Sequence, residues 1–265
     1  MDSLTFVAGS TARREVLSVL ASDPSTRSEV LDSAGSSKSS VYDALNKLEE
    51  KGFVYQRDDD CWATTSAGQA LSDAIRRCER TEAVIEDDAA YWESHDASGI
   101  PERFRAEFHA FEGYEVVRSP DTDPYRASRL VADELAAAGP LSVVAPVYHD
   151  RYADSMNQST QSDRRLVVTP NVVQRLVEDT PDDPEGANHI DSRVYAAGFA
   201  MAVSDDALLL SLPKLDGSYD PHTEVVAETD AAVDWGKRLF EWVWERAADT
   251  ERYLADRYGE AVLDE

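Results

Sequence analysis

Three short helical patterns followed by two strand patterns occupy residues 11–64, and this order constrains the fold more than any other feature of the sequence. Apolar positions fall on one helical face in residues 11–21, after which an Asp-Pro pair ends the first helix. Thr26 and Glu29 have the spacing of a capping box. They predict a second short helix, which ends at Gly35 because glycine accepts a left-handed cap.

A third helix is predicted from a serine cap at Ser36 or Ser37, because four apolar positions repeat with the spacing of one buried stripe: Val41, Ala44, Leu45 and Leu48. Residues 53–57 and 61–64 predict a hairpin with an acidic turn at 58–60. Three short helices and a two-stranded ribbon are typical of a winged helix-turn-helix, whose third helix enters the major groove of DNA.

The outer face of the third helix carries hydroxyls, lysines and an amide. The predicted DNA-binding residues are Ser37, Lys38, Ser39, Tyr42, Asn46 and Lys47 on this helix and Arg57 on the wing. Lysines and hydroxyls suit phosphate oxygens, whereas Asn46 and Tyr42 can reach base edges or sugar. The expected partner is therefore double-stranded promoter DNA. A winged helix that contacts protein instead of DNA remains an open alternative.

Charge is distributed unevenly along the chain. The whole sequence holds 52 acidic and 26 basic residues, a net charge of −26, and only a minority of the basic residues are lysines. Basic and acidic residues balance from Ser10 to Arg57, namely Arg13, Arg14, Arg27, Lys38, Lys47, Lys51 and Arg57 against Glu15, Asp23, Glu29, Asp32, Asp43, Glu49 and Glu50. A neutral region in an acidic chain is expected where only that face approaches a polyanion. The acidic residues outside this region are spread along the chain and not gathered in one block, and such an acidic, lysine-poor surface predicts a halophilic archaeal host.

A long amphipathic helix is predicted after the hairpin, with apolar residues at nearly heptad spacing: Leu71, Ile75, Cys78, Ile85, Ala89 and Trp92. We expect three segments, a winged helix-turn-helix (1–68), a connecting helix (69–98) and an α/β domain (99–265). The connecting helix can pair with its twin in a homodimer, or it can pack on its own C-terminal domain.

Helix and strand patterns alternate in the C-terminal part, which predicts an α+β or α/β fold class. The predicted helices are 125–139, 150–161, 171–178 and 231–253, and the predicted strands are 141–147, 165–169, 192–196, 199–204, 207–212 and 225–227. Ligands of such sheets bind at the carboxyl ends of strands. The candidate residues for an unknown small-molecule effector are therefore Tyr148, His149 and Arg151 after one strand, and Thr169 and Asn171 after another. A plain surface cluster around His149 is the alternative.

Catalytic and cofactor motifs are not evident in the sequence. It has no glycine-rich phosphate loop and no nucleophile elbow, and its five histidines lack metal-ligand spacing. No enzyme activity, cofactor or metal is predicted. No apolar run reaches the length of a membrane span and no signal-peptide pattern opens the chain, so we expect a cytoplasmic protein without a membrane partner.

Several motifs resemble those of one family, namely Arg13-Arg14-Glu15-Val16-Leu17, Ser40-Val41-Tyr42-Asp43-Ala44-Leu45, Glu50-Lys51-Gly52-Phe53-Val54, Asp123-Pro124, Phe199-Ala200-Met201-Ala202-Val203, Leu208-Leu209-Leu210, Trp235 and Leu239-Phe240-Glu241. The family comprises FilR-like archaeal winged-helix regulators, whose second part is the effector domain of the methanogen filament-formation regulator. The resemblance implies a transcription factor, usually dimeric.

The resemblance also implies that the C-terminal domain is similar to a phospholipase D-like fold, which TrmB-type sugar-sensing regulators share. The catalytic signature of that fold is a histidine, a lysine two positions later and an aspartate four beyond that. His149 is followed by Asp150-Arg151, and no other histidine has a lysine two residues later. A phosphodiesterase directed to nucleic acid is therefore the weaker alternative.

Overall fold

The computed structural model describes residues 2–137, 139–157, 163–179 and 190–259. These residues form two compact units, an N-terminal unit within residues 1–81 and a C-terminal unit within residues 82–265. The expected division into three segments stays a prediction.

The N-terminal unit is built from short helices and a small antiparallel sheet. Its elements are α1 (Ser3–Ala8), α2 (Thr11–Ser22), β1 (Ser25–Thr26), α3 (Arg27–Ser33), α4 (Lys38–Glu50), β2 (Val54–Gln56), β3 (Cys61–Thr64) and the first part of α5 (Ser66–Asp87). The sheet has the order β1-β3-β2. The three predicted helices and the hairpin are present, while α1 and β1 were not predicted because their patterns are too short to show periodicity.

Apolar stripes on α2 and α4 form the core of this unit together with the hairpin. Leu17, Leu45 and Trp62 are each at most 2% exposed. The capping box of α3 is present, with Thr26 and Glu29 bonded reciprocally. Ser37 is the N-cap of α4, and Gly52, with a φ of +73°, follows its end. Side-chain caps thus mark the starts of α3 and α4, and the apolar stripe leaves the remaining face of α4 to solvent.

The C-terminal unit contains the end of α5 and a larger set of elements. They are α6 (Ala89–Ser94), α7 (Glu102–Arg105), a 3₁₀ turn (Phe108–Phe111), β4 (Glu115–Arg118), α8 (Arg126–Ala136), β5 (Leu141–Ala145), α9 (Asp150–Asn157), β6 (Arg164–Val168), α10 (Pro170–Asp179), β7 (Asp191–Val194), β8 (Ala200–Val203), β9 (Leu208–Ser211), β10 (Thr223–Ala227), α11 (Asp230–Trp244), β11 (Ala248–Asp249) and α12 (Thr250–Tyr258).

An eight-stranded mixed sheet organises this unit, in the order β11-β7-β6-β5-β8-β9-β10-β4. The strands β5, β6 and β7 are parallel, and every other pair is antiparallel. The helices α9 and α10 lie between consecutive parallel strands in the chain, as parallel connections require. The expected mixed class of helices and strands is confirmed.

Helix α11 packs its aromatic residues into the core of its own unit. Trp235 and Phe240 are 0% exposed, and the Trp235 indole N–H donates to the carbonyl of Phe104 at 3.0 Å. Side chains of α6, α7 and the 3₁₀ turn complete this core. On the other side of the sheet, α8 and α9 cover a second apolar cluster that includes Leu135, Leu141 and Leu209.

Two predicted helices are shorter than expected. The helix predicted over 231–253 is wrong beyond Trp244, because Ala248 and Asp249 pair with β7 and Asp249 then caps α12 by accepting from the Arg252 N–H at 3.1 Å. The predicted connecting helix is interrupted at Asp88, whose carboxylate caps α6 and binds the Arg118 guanidinium through two contacts of 2.7 and 2.8 Å. Polar caps that compete with helix propagation explain both interruptions.

Neither a membrane-spanning helix nor a metal-binding cluster occurs within the described part of the chain. There, no helix has the combination of length and apolar character that a transmembrane span needs. The same residues bring together no three histidine, cysteine or acidic side chains in a metal-binding group.

Candidate nucleic-acid interface and effector site

Ser37, Ser39 and Ser40 form a cluster of hydroxyl groups at the exposed N-terminus of α4. The Ser37 hydroxyl accepts from the backbone N–H of Ser40 at 3.3 Å, and it lies 3.1 Å from the Ser39 hydroxyl and 2.9 Å from the Ser40 hydroxyl. Each of these serines is exposed. Short hydroxyls at a helix N-terminus, beside free backbone N–H groups, form a surface suited to a phosphate oxygen.

Glu15 fixes the turn that leads into α4. Its carboxylate accepts from the backbone N–H of Ser36 at 3.0 Å, and the sequence separation is 21 residues. A Cβ on Gly35 would lie only 3.2 Å from the same carboxylate. The contact therefore links α2 to the turn before α4 and restricts how α4 is oriented within the unit.

Lys38, Tyr42 and Asn46 follow each other at four-residue intervals and so form one row along α4. The Lys38 ammonium is 5.8 Å from the centre of the Tyr42 ring. Arg27 of α3 extends this row, since its guanidinium lies 5.1 Å from the Tyr42 ring and 5.6 Å from the Trp62 ring. Arg27 was not predicted as a site residue, because nothing in the sequence indicates that α3 places it beside α4.

Two of the predicted phosphate ligands already have acidic partners. Lys47 binds Asp43 at 2.7 Å, one turn back on α4, and Arg57 binds Asp59 at 3.3 Å in the wing. The wing turn continues to Asp60, which has a φ of +61°. Both pairs are solvent-exposed, so their net energy is small, but each carboxylate lowers the local positive potential that a phosphate would meet.

The two loops of the candidate effector site meet at the edge of the large sheet that the carboxyl ends of β5 and β6 form. Ala145 and Val168 are partners in the parallel register of β5 and β6, so the residues after them emerge side by side. The Thr169 hydroxyl donates to the Pro146 carbonyl at 3.2 Å. Thr169 is buried and joins the two loops, whereas Asn171 is exposed in the first turn of α10.

The other predicted effector residues separate into two environments. Tyr148 packs against the apolar cluster around Val168, and the Arg175 guanidinium lies 5.5 Å from its ring. His149 is exposed, and its ring centre is 4.8 Å from that of Tyr152 on α9. Arg151 is also exposed. The exposed His149 ring thus lies beside Tyr152, which is partly buried.

A polar cluster that sequence analysis missed lies at the same sheet edge. Pairing of Val225 with Leu210 places Glu224 of β10 opposite Ser211 of β9, and the Ser211 hydroxyl donates to the Glu224 carboxyl group. Tyr219 hydrogen-bonds both Ser211 and Tyr152. The cluster combines α9, β9 and β10 with the loop between these strands, and no local motif marks it in the sequence.

Burial controls the protonation of this cluster. Glu224 is 4% exposed, and removal from water raises its pKa to about 8, although the hydrogen bond from Ser211 opposes the rise. Burial also raises the pKa of the Tyr152 and Tyr219 phenols. Glu224 is therefore neutral over most of the pH range below its raised pKa, because a charged carboxylate is unfavourable in a dry interior.

Family models match both parts of the chain. Residues 1–86 match the model described as the HVO_A0261 N-terminal domain, and residues 124–246 match the model described as the middle domain of methanogenesis regulatory protein FilR1. The second match spans the sheet edge that carries Tyr148, His149 and Glu224. It confirms the resemblance to FilR-like proteins that the sequence motifs indicated.

A curated relative is the methanogenesis regulatory protein FilR1 of Methanothrix harundinacea strain 6Ac, which is 22% identical over 174 residues. The aligned part is 61% of this chain and 39% of the relative, so the chain spans well under half of that protein.

Two solved structures show weak similarity. TrmBL2, an archaeal chromatin protein, has a TM-score of 0.39 and 17% identity over 89% of this chain and 92% of its own. An IclR transcriptional regulator from Alicyclobacillus acidocaldarius has a TM-score of 0.25 and 11% identity, with coverage of 89% and 95%.

Proposed function

Because this chain carries a FilR1 middle domain behind an HVO_A0261-type N-terminal domain, we propose that it is a sequence-specific DNA-binding transcription regulator. Helix α4 enters the major groove, and the wing lies over the backbone. The observation that carries the proposal is the row formed by Lys38, Tyr42 and Asn46 on the solvent face of α4, extended by Arg27.

The proposed contacts divide by chemistry. Ser37, Ser39 and Lys38 bind phosphates near the N-terminus of α4, and Lys47 and Arg57 add phosphate contacts by leaving their aspartate partners. Asn46 and Tyr42 read base edges or sugar. Arg27, held over Tyr42, adds one more positive charge near the groove.

We further propose that two copies act together through α5. A palindromic site needs two reading helices separated by about 34 Å, one turn of the duplex, which a homodimer provides. Residues 76–80 of α5 are exposed, Cys78 among them. In the proposed dimer this exposed segment meets the same segment of the other copy.

The C-terminal unit is proposed to bind a small-molecule effector at the sheet edge near Tyr148, His149, Arg151, Thr169 and Asn171. Binding would bias the dimer between two spacings and thereby change promoter occupancy. We also propose that this unit is similar to the phospholipase D-like fold and uses it for binding and not for hydrolysis. A halophilic archaeal host and a cytoplasmic location are part of the same proposal.

Genomic occupancy of the tagged protein at its native salt tests the proposal. The wild type is compared with a double variant, Lys38→Ala with Asn46→Ala, and with a control, Glu93→Ala, at an exposed position of the C-terminal unit. We expect discrete promoter peaks for the wild type and the control and none for the double variant. Peaks that persist in the double variant would favour the winged helix as a protein-binding module.

A further inference from the structure

Glu224 has no role in the proposed DNA contact, and its surroundings indicate a ligand class. Its carboxyl group is buried on β10 and accepts one hydrogen bond from Ser211. A buried carboxylate without a counter-ion is strongly unfavourable, so the group keeps a proton when nothing else neutralises it.

Of the basic side chains in this region, Lys214 and His95 pair with Asp220, and Arg151 acts electrostatically on Tyr152. Lys214 lies 3.6 Å from one oxygen of Asp220, and the His95 ring lies 3.2 Å from the other. Within the described ranges, no basic side chain forms an ion pair with Glu224. The site therefore has a buried acid and, among the described residues, no ion-pair partner for it.

Two tyrosines are connected to this acid through Ser211. Tyr152 and Tyr219 are half-buried and hydrogen-bonded to each other. Tyr219 also hydrogen-bonds Ser211, whose hydroxyl donates to Glu224, so both phenols belong to the same polar cluster as the acid. The faces of aromatic rings attract cations.

The next row of side chains on the same face of the sheet adds apolar space. Leu209 and Val226 lie two residues along from Ser211 and Glu224, about 7 Å by strand geometry. With Leu130 of α8 they line an open groove of about 420 Å³. Its charged rim holds Arg126, Arg129, Asp133, Glu134 and Glu228.

We propose that Glu224 recognises a small organic amine, with its ammonium group at the Glu224 carboxylate beside Tyr152 and Tyr219 and its apolar body toward the groove. Entry requires the Tyr152–Tyr219 hydrogen bond to open. On binding, the Glu224 O–H loses its proton to solvent and the protonated amine becomes the counter-ion, so charge balances. The inference deepens the proposed effector site and rests on it for the regulatory role alone.

Isothermal titration calorimetry of the full chain near neutral pH tests the proposal. The probes are butylammonium chloride, 1-butanol and sodium butyrate, in two non-amine buffers of different ionisation enthalpy. We expect butylammonium to bind with release of close to one proton, and the other two to bind at least about tenfold more weakly. Equal binding of 1-butanol, binding without proton release, or no binding of butylammonium would each overturn the proposal.

Two variants separate the buried carboxyl group from general negative charge. Glu224→Gln keeps an acceptor for Ser211 and should lose butylammonium binding, whereas Glu228→Gln removes a carboxylate of the groove rim and should keep it. Equal loss in both variants would overturn the proposal. If Glu224→Gln fails to fold, the carboxyl carbon of Glu224 is followed by NMR in the wild type, where saturation with butylammonium should lower its pKa and an unchanged pKa would overturn the proposal.

The regulatory role is tested separately, because calorimetry needs no DNA. Amine binding in a protein without promoter peaks supports the site and contradicts the proposed function. Amine binding that leaves promoter occupancy unchanged supports the site and contradicts its role as the effector site.

Discussion

The carboxylate of Glu15 and the backbone N–H of Ser36 are 3.0 Å apart, and their hydrogen bond joins α2 to the turn before α4. Glu15→Ala leaves this N–H without its partner, which should lower the free energy of unfolding by about 1–2 kcal/mol. DNA binding should weaken as well, because the turn orients α4.

Urea unfolding and fluorescence anisotropy with a target duplex measure the two effects. Glu15→Gln keeps a carbonyl acceptor and should recover most of both. Glu49→Ala, an exposed acid on α4, is the control for loss of charge. If Glu49→Ala weakened stability as much as Glu15→Ala, the hydrogen bond would not be the cause.

Lys47 and Asn46 should differ in the kind of binding that they support. Lys47→Ala should weaken binding to every duplex and reduce the salt dependence by about one phosphate contact, while Asn46→Ala should reduce discrimination among sequences. Asp43→Asn frees Lys47 from its 2.7 Å partner and should strengthen binding to all duplexes.

Anisotropy on specific and random duplexes over a range of salt concentrations tests these expectations. Equal losses on both duplexes for Lys47→Ala and Asn46→Ala would contradict the division of roles. A weaker Asp43→Asn variant would indicate that the ion pair itself positions Lys47.

Gly68 has no space for a side chain. A Cβ at this position would lie 1.9 Å from the carbonyl oxygen of Phe53, and the Gly68 N–H donates to the Thr65 hydroxyl at 3.1 Å. Gly68→Ala should therefore lower the free energy of unfolding by about 3 kcal/mol or more. The new Cβ and the Phe53 carbonyl oxygen are both fixed to the backbone, so neither can move away alone. Ala67→Gly, at the exposed neighbouring position, is the control and should cost about 1 kcal/mol as a helix substitution. Thermal unfolding measures both, and a mild Gly68→Ala effect would contradict the close approach.

Glu224 makes stability depend on pH. Its pKa rises from an ordinary value of 4.5 to about 8 in the folded protein. Between these values the folded state holds a proton that the unfolded state lacks, so this contribution is complete below pH 4.5 and is lost as pH rises toward about 8.

Glu224→Gln removes this dependence. The stability of the wild type, relative to that of the variant, should fall by about 1.4 kcal/mol per pH unit within that window. Urea unfolding of both proteins at several pH values gives the difference between their free energies of unfolding. Other titrating groups contribute equally to both proteins and cancel in this difference. Parallel curves for the two proteins would contradict a buried, protonated Glu224.

Cys78 reports on dimer formation through α5. If two copies pair along this helix, mild oxidation should link them through Cys78, which is exposed, while Cys61 is partly covered in the wing. Non-reducing electrophoresis should show a dimer in the wild type and in Cys61→Ser, and none in Cys78→Ser. Cross-linking through Cys61 alone would place the contact at the wing and not at α5.

The sequence was sufficient for the parts of the fold in which local signals coincide with tertiary packing. The capping box at Thr26 and the apolar stripe of α4 set element ends and faces that the structure retains. The end of the last helix was missed, because pairing of Ala248 with Val194 is a contact between distant segments.

The candidate sites show the same division. The outer face of α4 follows from periodicity within one helix, so its exposed residues were predictable. Arg27 and Glu224 were not, because each depends on a neighbouring element: Tyr42 beside Arg27, and Ser211 and Tyr152 around Glu224. Buried polar groups gathered from several strands leave no periodic signal in the sequence.

The two outer strands of the large sheet oppose association between copies of this protein. At one end β11 is only two residues long, and both residues are exposed, one of them Asp249. At the other end β4 exposes Glu115 and Arg118. Short and charged outer strands discourage strand addition by a second molecule. A variant that stops after Trp244 would uncover β7, so we expect such a variant to aggregate even if the rest of the core still forms.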